Sequence, residues 1–212
     1  MIDKQALRAD LVAHVGGRLA PLGFAKRRGA VFTVPLDETA TGTVGLNVAP
    51  GGPEDPLTVN PVVGVRHEPV ARLLAELAGP GALAPRYVVP TVSCSLGYLM
   101  PQRSYRVWPV GTVDDVPAQM DDMLRAVAGH GIPFMREHSS LEGVIRAVEQ
   151  QLVPSPDERA VVLAAARTVA GDVDRGRSDL DRYLAEMGSR QDPAAQDVRR
   201  RAEALRTYVR AG

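Results

Sequence analysis

Four aspartates near the middle of the chain, Asp114, Asp115, Asp121 and Asp122, carry the clearest spacing for chemistry. Asp114–Asp121 and Asp115–Asp122 are each seven residues apart, so on a helix each pair stacks two carboxylates on one face, where they could hold Mg²⁺. A metal–diphosphate site also needs a second acidic cluster opposite and cations nearby, and the sequence specifies neither. The helix macrodipole accounts for the first pair as helix-start acids, and the second pair then reads as a solvated face. AspValAspArgGlyArgSerAsp (172–179) invites a Ca²⁺-loop reading, but Gly176 falls one position early and Tyr183 stands where a bidentate Glu must close the loop. These acids read as the start of a helix.

The other reactive residue types are sparse. His14, His67, His130 and His138 share no metal-ligand spacing; His67-Glu68 opens like a zinc-protease motif, but position 71 is Ala where the second His is required. The one cysteine, Cys94, excludes an internal disulfide, and on strand period it shares a face with Val88, Val92 and Leu96, as a small core residue would. GlyProGlyAlaLeuAla (79–84) follows a helix and not a strand, so it lacks the geometry that aims amides at a pyrophosphate. There is no Gly-x-Ser-x-Gly elbow and no Walker sequence. The sequence therefore implies no metal and no cofactor.

The whole chain of 212 residues, 45% hydrophobic and 24% charged, has the composition of a globular protein with a core of Leu, Val and Ala, since aromatics are only 4%. Its 25 basic and 25 acidic side chains balance, which argues against a general nucleic-acid binder. No signal-like segment and no membrane-length apolar run appears, so the reading is a cytoplasmic protein without a membrane role.

Apolar spacing orders the elements. Leu7, Leu11, Val15, Leu19 and Leu22 predict a helix over 2–21, with Gly23 as its left-handed cap. Strands are expected at 30–36, 43–49, 57–66, 87–98 and 104–110, with a helix inserted near 68–78. From Thr112 the period is 3.6, and after ProSerPro (154–156) helices are expected near 157–170, 177–188 and 194–210. The pattern predicts an α+β fold: an antiparallel sheet of about five strands with an N-terminal helix, the inserted helix and a C-terminal helical bundle. The division is 1–111 as the sheet portion and 112–212 as the helical portion, packed as one continuous domain.

ProLeuGlyPhe (21–24), the cations Lys26, Arg27 and Arg28, Gly29 and ValPhe (31–32) resemble the opening of an uncharacterised bacterial family of domains, typically a long helix, Gly-Phe-basic-basic, then a strand. Trp108 ending a strand, then a helix, then IleProPhe (132–134) extend the resemblance. Relatives of that family are grouped with immunity-type proteins that neutralise secreted toxins, so the resemblance implies a protein-binding role and supplies no catalytic residues. On physical grounds the three cations fit the helix C-terminal dipole and protect an early strand from promiscuous pairing.

One pattern on the sheet carries the binding expectation. The strand phase opposite the apolar one runs Thr43, Gly45, Asn47; Thr58, Asn60, Val62, Gly64; Thr91, Ser93, Ser95, Gly97; then Arg106 and Trp108. A solvated antiparallel face alternates in the same way. The sharper reading is a face that receives a partner, because strand glycines mark close approach and an exposed Trp-Arg pair has hot-spot composition. The candidate binding residues are Asn47, Asn60, Thr91, Ser93, Ser95, Arg106 and Trp108. No acid, base or nucleophile pair can be assembled, so the favoured function is a non-catalytic binding protein, immunity-like or adaptor-like, with a protein partner. The alternative is a small-molecule binder or enzyme, with Asn47, Asn60, Ser93, Ser95 and Arg106 lining a cavity between the sheet and the C-terminal helices.

Overall fold

The computed structural model describes residues 3–79, 88–153 and 155–211. The glycine-rich stretch from 80 to 84, the start of the expected strand at 87 and Pro154 lie outside the described residues. Within them the fold is α+β with an antiparallel sheet, as expected. No helix among these residues is long and apolar enough to cross a membrane.

Helix α1, Lys4–Leu19, begins where the Asp3 carboxylate accepts from the amides of Gln5 and Ala6 at 3.0 Å each. Its buried stripe is Leu7, Leu11, Val15 and Leu19, each such side chain contributing about 1.5–3 kcal/mol of burial. The chain leaves through a 3₁₀ turn and Gly23 at φ +85°, a left-handed conformation that glycine adopts without strain.

The sheet is built from β1 (Ala25–Lys26), β2 (Val31–Pro35), β3 (Ala40–Ala49), β4 (Leu57–His67), β5 (Val92–Ser95) and β6 (Trp108–Val110). Its order is β1-β2-β3-β4-β5, with β6 also pairing β4. β1 pairs antiparallel with β2, so Lys26, Arg27 and Arg28 lie on the exposed edge hairpin, and Arg27 Nε donates to Thr33 Oγ1 at 2.9 Å. The expected strand at 87–98 is short: after Ser95 the chain turns into α3, Leu96–Leu99. The expected strand at 104–110 pairs only from Trp108.

Two compact units emerge. The first is 1–65 with 93–137, and the second is 66–92 with 138–212. In the first, α4 (Asp115–Ala126) lies on α1, burying Val116, Met120 and Met123, and a π-helical turn, Val127–Gly131, leads into α5 (Ile132–Glu137). α5 contacts β3, where Gly42 leaves room for the Met135 side chain.

In the second unit, α2 (Glu68–Ala78) buries Val70, Ala71, Leu73 and Leu77 and packs on α7 (Pro156–Val169) and α9 (Pro193–Ala211). α6 (Leu141–Glu149) is capped by Ser140, whose hydroxyl accepts from Gly143 N at 3.1 Å. α8 (Val173–Met187) packs closely along α7. The contact is close because Gly176 meets the α7 backbone, where an added Cβ would lie 2.8 Å from the Ala164 carbonyl oxygen, and because α7 presents Ala164, Ala165 and Ala166. Residues 172–179 are therefore helical from Val173 onward, and Asp179 bonds to Arg167 and Arg182.

Candidate functional site

The residues singled out from the sequence do not form one surface. Asn47 is exposed near the end of β3. Asn60 and Ser95 meet across β4 and β5: Asn60 Nδ2 lies 2.9 Å from Ser95 Oγ and donates to the Arg106 carbonyl at 2.9 Å. Ser93 is half-buried on β5. Thr91 belongs to the second unit, buried, with its hydroxyl accepting from the His67 amide at 3.0 Å.

Arg106 and Trp108 are not on the polar face, and Trp108 is not exposed. The register pairs Trp108 with Val59, and cross-strand partners share a face. Val59 is wholly buried on the apolar phase, so Trp108 follows it into the core and is 1% exposed. There its indole Nε1 donates to Asp122 Oδ2 at 2.8 Å. Arg106 stacks on the indole, its guanidinium carbon 4.7 Å from the ring centroid, and donates to the same carboxylate oxygen at 2.8 Å. Nor is the remaining polar phase uniformly solvated: Thr43 and Asn60 are buried, as is Thr33 on the neighbouring strand. Thr33 and Thr43 are cross-strand partners, and Asn60 satisfies its amide internally.

Three of the four aspartates have separate duties, while Asp114 precedes α4 without a side-chain cap bond. Asp115 Oδ2 accepts from the amides of Gly111 and Thr112 and from the Thr112 hydroxyl, which closes the start of α4 like a capping box. Asp121 accepts from His14 Nε2 at 3.0 Å and Arg18 Nε at 3.1 Å, which ties α4 to α1. Asp122 serves Trp108, Arg106 and Arg125. Asp121 and Asp122 are thus part-exposed acids with fixed partners. Among the described residues no group of three or more His, Cys, Asp or Glu could hold a metal ion.

Donor partners hold each of these carboxyls below its usual range: the Thr112 amide for Asp115, His14 for Asp121, and the Trp108 indole for Asp122. A carboxyl lowered by folding stabilises the fold above its unfolded value and loses that stabilisation as pH falls through the folded value. Urea midpoints should therefore be flat from about pH 7 to 5 and fall below about pH 4. Asp122→Asn should flatten that acid limb, and a wild-type slope in the variant would contradict the assignment. Cys94 is half-buried, and burial pushes its thiol up, away from the thiolate a nucleophile needs.

What sequence reasoning missed is the segment from α3 to β6. Gly97 lies against the returning backbone, where an added Cβ would stand 2.8 Å from the Arg106 amide nitrogen. The loop is further held by the Asn60 bond to the Arg106 carbonyl, by Arg106 on Asp122, and by a turn in which Arg103 N donates to the Met100 carbonyl at 2.9 Å. Arg103 takes φ +46°, a conformation with a cost for a residue bearing a Cβ. One residue from the Gly97–Arg106 contact on either arm stand Tyr98 and Tyr105, 50% and 64% exposed. ProGlnArgSer (101–104), a turn-forming stretch between two tyrosines, is the sequence signal that marks this loop.

Beside it Arg8, Leu46, Asn47, Val48, Ala49, Thr58, Asn60 and Tyr105 surround an open recess of about 360 Å³. It unites Asn47 and Asn60 with Tyr105, and takes in none of the other candidates. Comparison of the chain with protein-family models, curated proteins and solved structures gives no match.

Proposed function

We propose that this chain is a non-catalytic binding protein, immunity-like or adaptor-like, which holds a protein partner on the loop 96–107 and the recess beside it. The observation that carries the reading is the pair of exposed tyrosines, Tyr98 and Tyr105, on a loop fixed at Gly97, Asn60 and Asp122. Tyrosine gives large contact area at small entropic loss, and a loop held by a rigid scaffold is where binding residues concentrate.

The test is a tagged pull-down from the native cell, wild type beside a Tyr98→Ala/Tyr105→Ala variant, with protein and small-molecule mass spectrometry on both eluates. Both side chains are exposed, so the variant should melt like wild type. A co-purifying protein should fall by about tenfold or more, the size of a hot-spot loss. Equal capture by the variant would remove the loop from the interface. A retained small molecule with no protein would favour the small-molecule alternative.

A further inference from the structure

We infer that the recess on the first unit receives a carboxylate side chain from an extended acidic segment of the protein partner, with Arg8 as its counter-charge. The inference rests on the binding reading above and names the partner's chemistry. Three other cations of the first unit are already engaged: Arg18 on Asp121, Arg106 on Asp122, and Lys4 on the carbonyls of Pro50 and Gly52. Arg8, exposed in the second turn of α1 and lining the recess, makes no ion pair or hydrogen bond through its side chain among the described residues.

The neighbouring acids do not answer it. Asp3 is occupied by the amides of Gln5 and Ala6, and Asp55 accepts from Gly52 N at 2.7 Å. Asp10, two residues on, lies about 200° around the helix from Arg8. Lys4, one turn before Arg8, places a second positive charge beside the Ala49 end of the recess. Asn47 and Thr58 add an amide and a hydroxyl that can donate to a carboxylate, and Tyr105 supplies an aromatic wall.

Two features favour a peptide carboxylate over a phosphate. The α1 amides of Gln5 and Ala6, which could cradle a phosphate, are taken by the Asp3 carboxylate. β3 also runs past its neighbour: among the described residues its last backbone bond on the β2 flank is Leu46 N to the Ala30 carbonyl, at 2.9 Å. Asn47, Val48 and Ala49 thus offer a short sheet edge, the surface along which an extended segment lies down.

A phage-displayed random dodecapeptide library, selected on the immobilised full chain, supplies the probe. Wild type should enrich peptides bearing Asp or Glu. Arg8→Glu should reduce that enrichment by about tenfold, as reversing a close interfacial charge pair does. Arg8→Lys should retain part of it, and Arg175→Glu, the same charge change at an exposed position on α8, should leave it intact. Unchanged melting of Arg8→Glu shows that folding is not the cause. Acid-free peptides, no enrichment, or equal acidic enrichment by wild type and Arg8→Glu would each overturn the inference. The tyrosine pull-down decides the binding reading separately in every one of those cases.

Discussion

Replacing Trp108 with alanine should lower the unfolding free energy by about 3–5 kcal/mol, the range for deleting a fully buried large aromatic side chain. The indole is 1% exposed, faces α4 beside Val59, and donates to Asp122. Its removal opens a cavity, strips the Arg106 guanidinium of its stacking surface, and takes one donor from a carboxylate that the fold keeps ionised. Trp108→Phe separates these contributions. It restores most of the volume and leaves only the indole bond unmade, so it should cost about 1–3 kcal/mol. Denaturant unfolding followed by far-UV circular dichroism measures both, because Trp108 is the chain's only tryptophan and the variants lose the fluorescence probe. A cost below about 1 kcal/mol for Trp108→Ala would mean that the residue is not core, against the burial described here.

The second large effect belongs to Arg167, in the other unit. This arginine on α7 is 5% exposed, donates to Glu149 of α6 at 2.8 Å, and pairs with Asp179 of α8, whose own side chain is 12% exposed. A buried ion pair adds little net stability over an apolar replacement, but breaking one by removing a single partner strands the other charge. Arg167→Ala should therefore cost about 3 kcal/mol, the lower end of the range for such breaks, since Arg182 still reaches Asp179. Arg167→Met combined with Asp179→Asn removes both charges and should recover most of the loss. Additive costs in that double variant would show that the two residues do not act as a pair.

The helices were the legible part of this sequence. Apolar residues at helical spacing predict the inserted helix at 68–78, and it runs Glu68–Ala78, ended by Gly79 at positive φ. Gly23 was readable as a left-handed cap for the same local reason. Features set by distant partners were not. β1 has two residues, too few to show a period, and exists because β2 pairs with it. The chain from Ser93 to Gly97 alternates like a strand, yet it turns at Leu96 because the backbone at Arg106 packs on Gly97.

The candidate site divides along the same line. Strand period puts Asn47 and Asn60 on one polar phase, and both line the recess. The same period puts Trp108 on the polar phase, but its face is fixed by pairing with β4, some fifty residues earlier in the chain, and not by its own neighbours. Asp121 reads as solvated until folding delivers His14, 107 positions away. Tyr98 and Tyr105 carry no periodic signal, so their exposure emerges only from the way the loop is held.

Site-specific photo-crosslinking in the native cell tests the binding account most directly. A benzophenone side chain is placed in turn at position 105, on the loop, and at position 208, an exposed tyrosine on α9. The account predicts one discrete protein adduct from position 105 that is absent from position 208. No protein adduct at 105, or the same set of adducts at both positions, would contradict it.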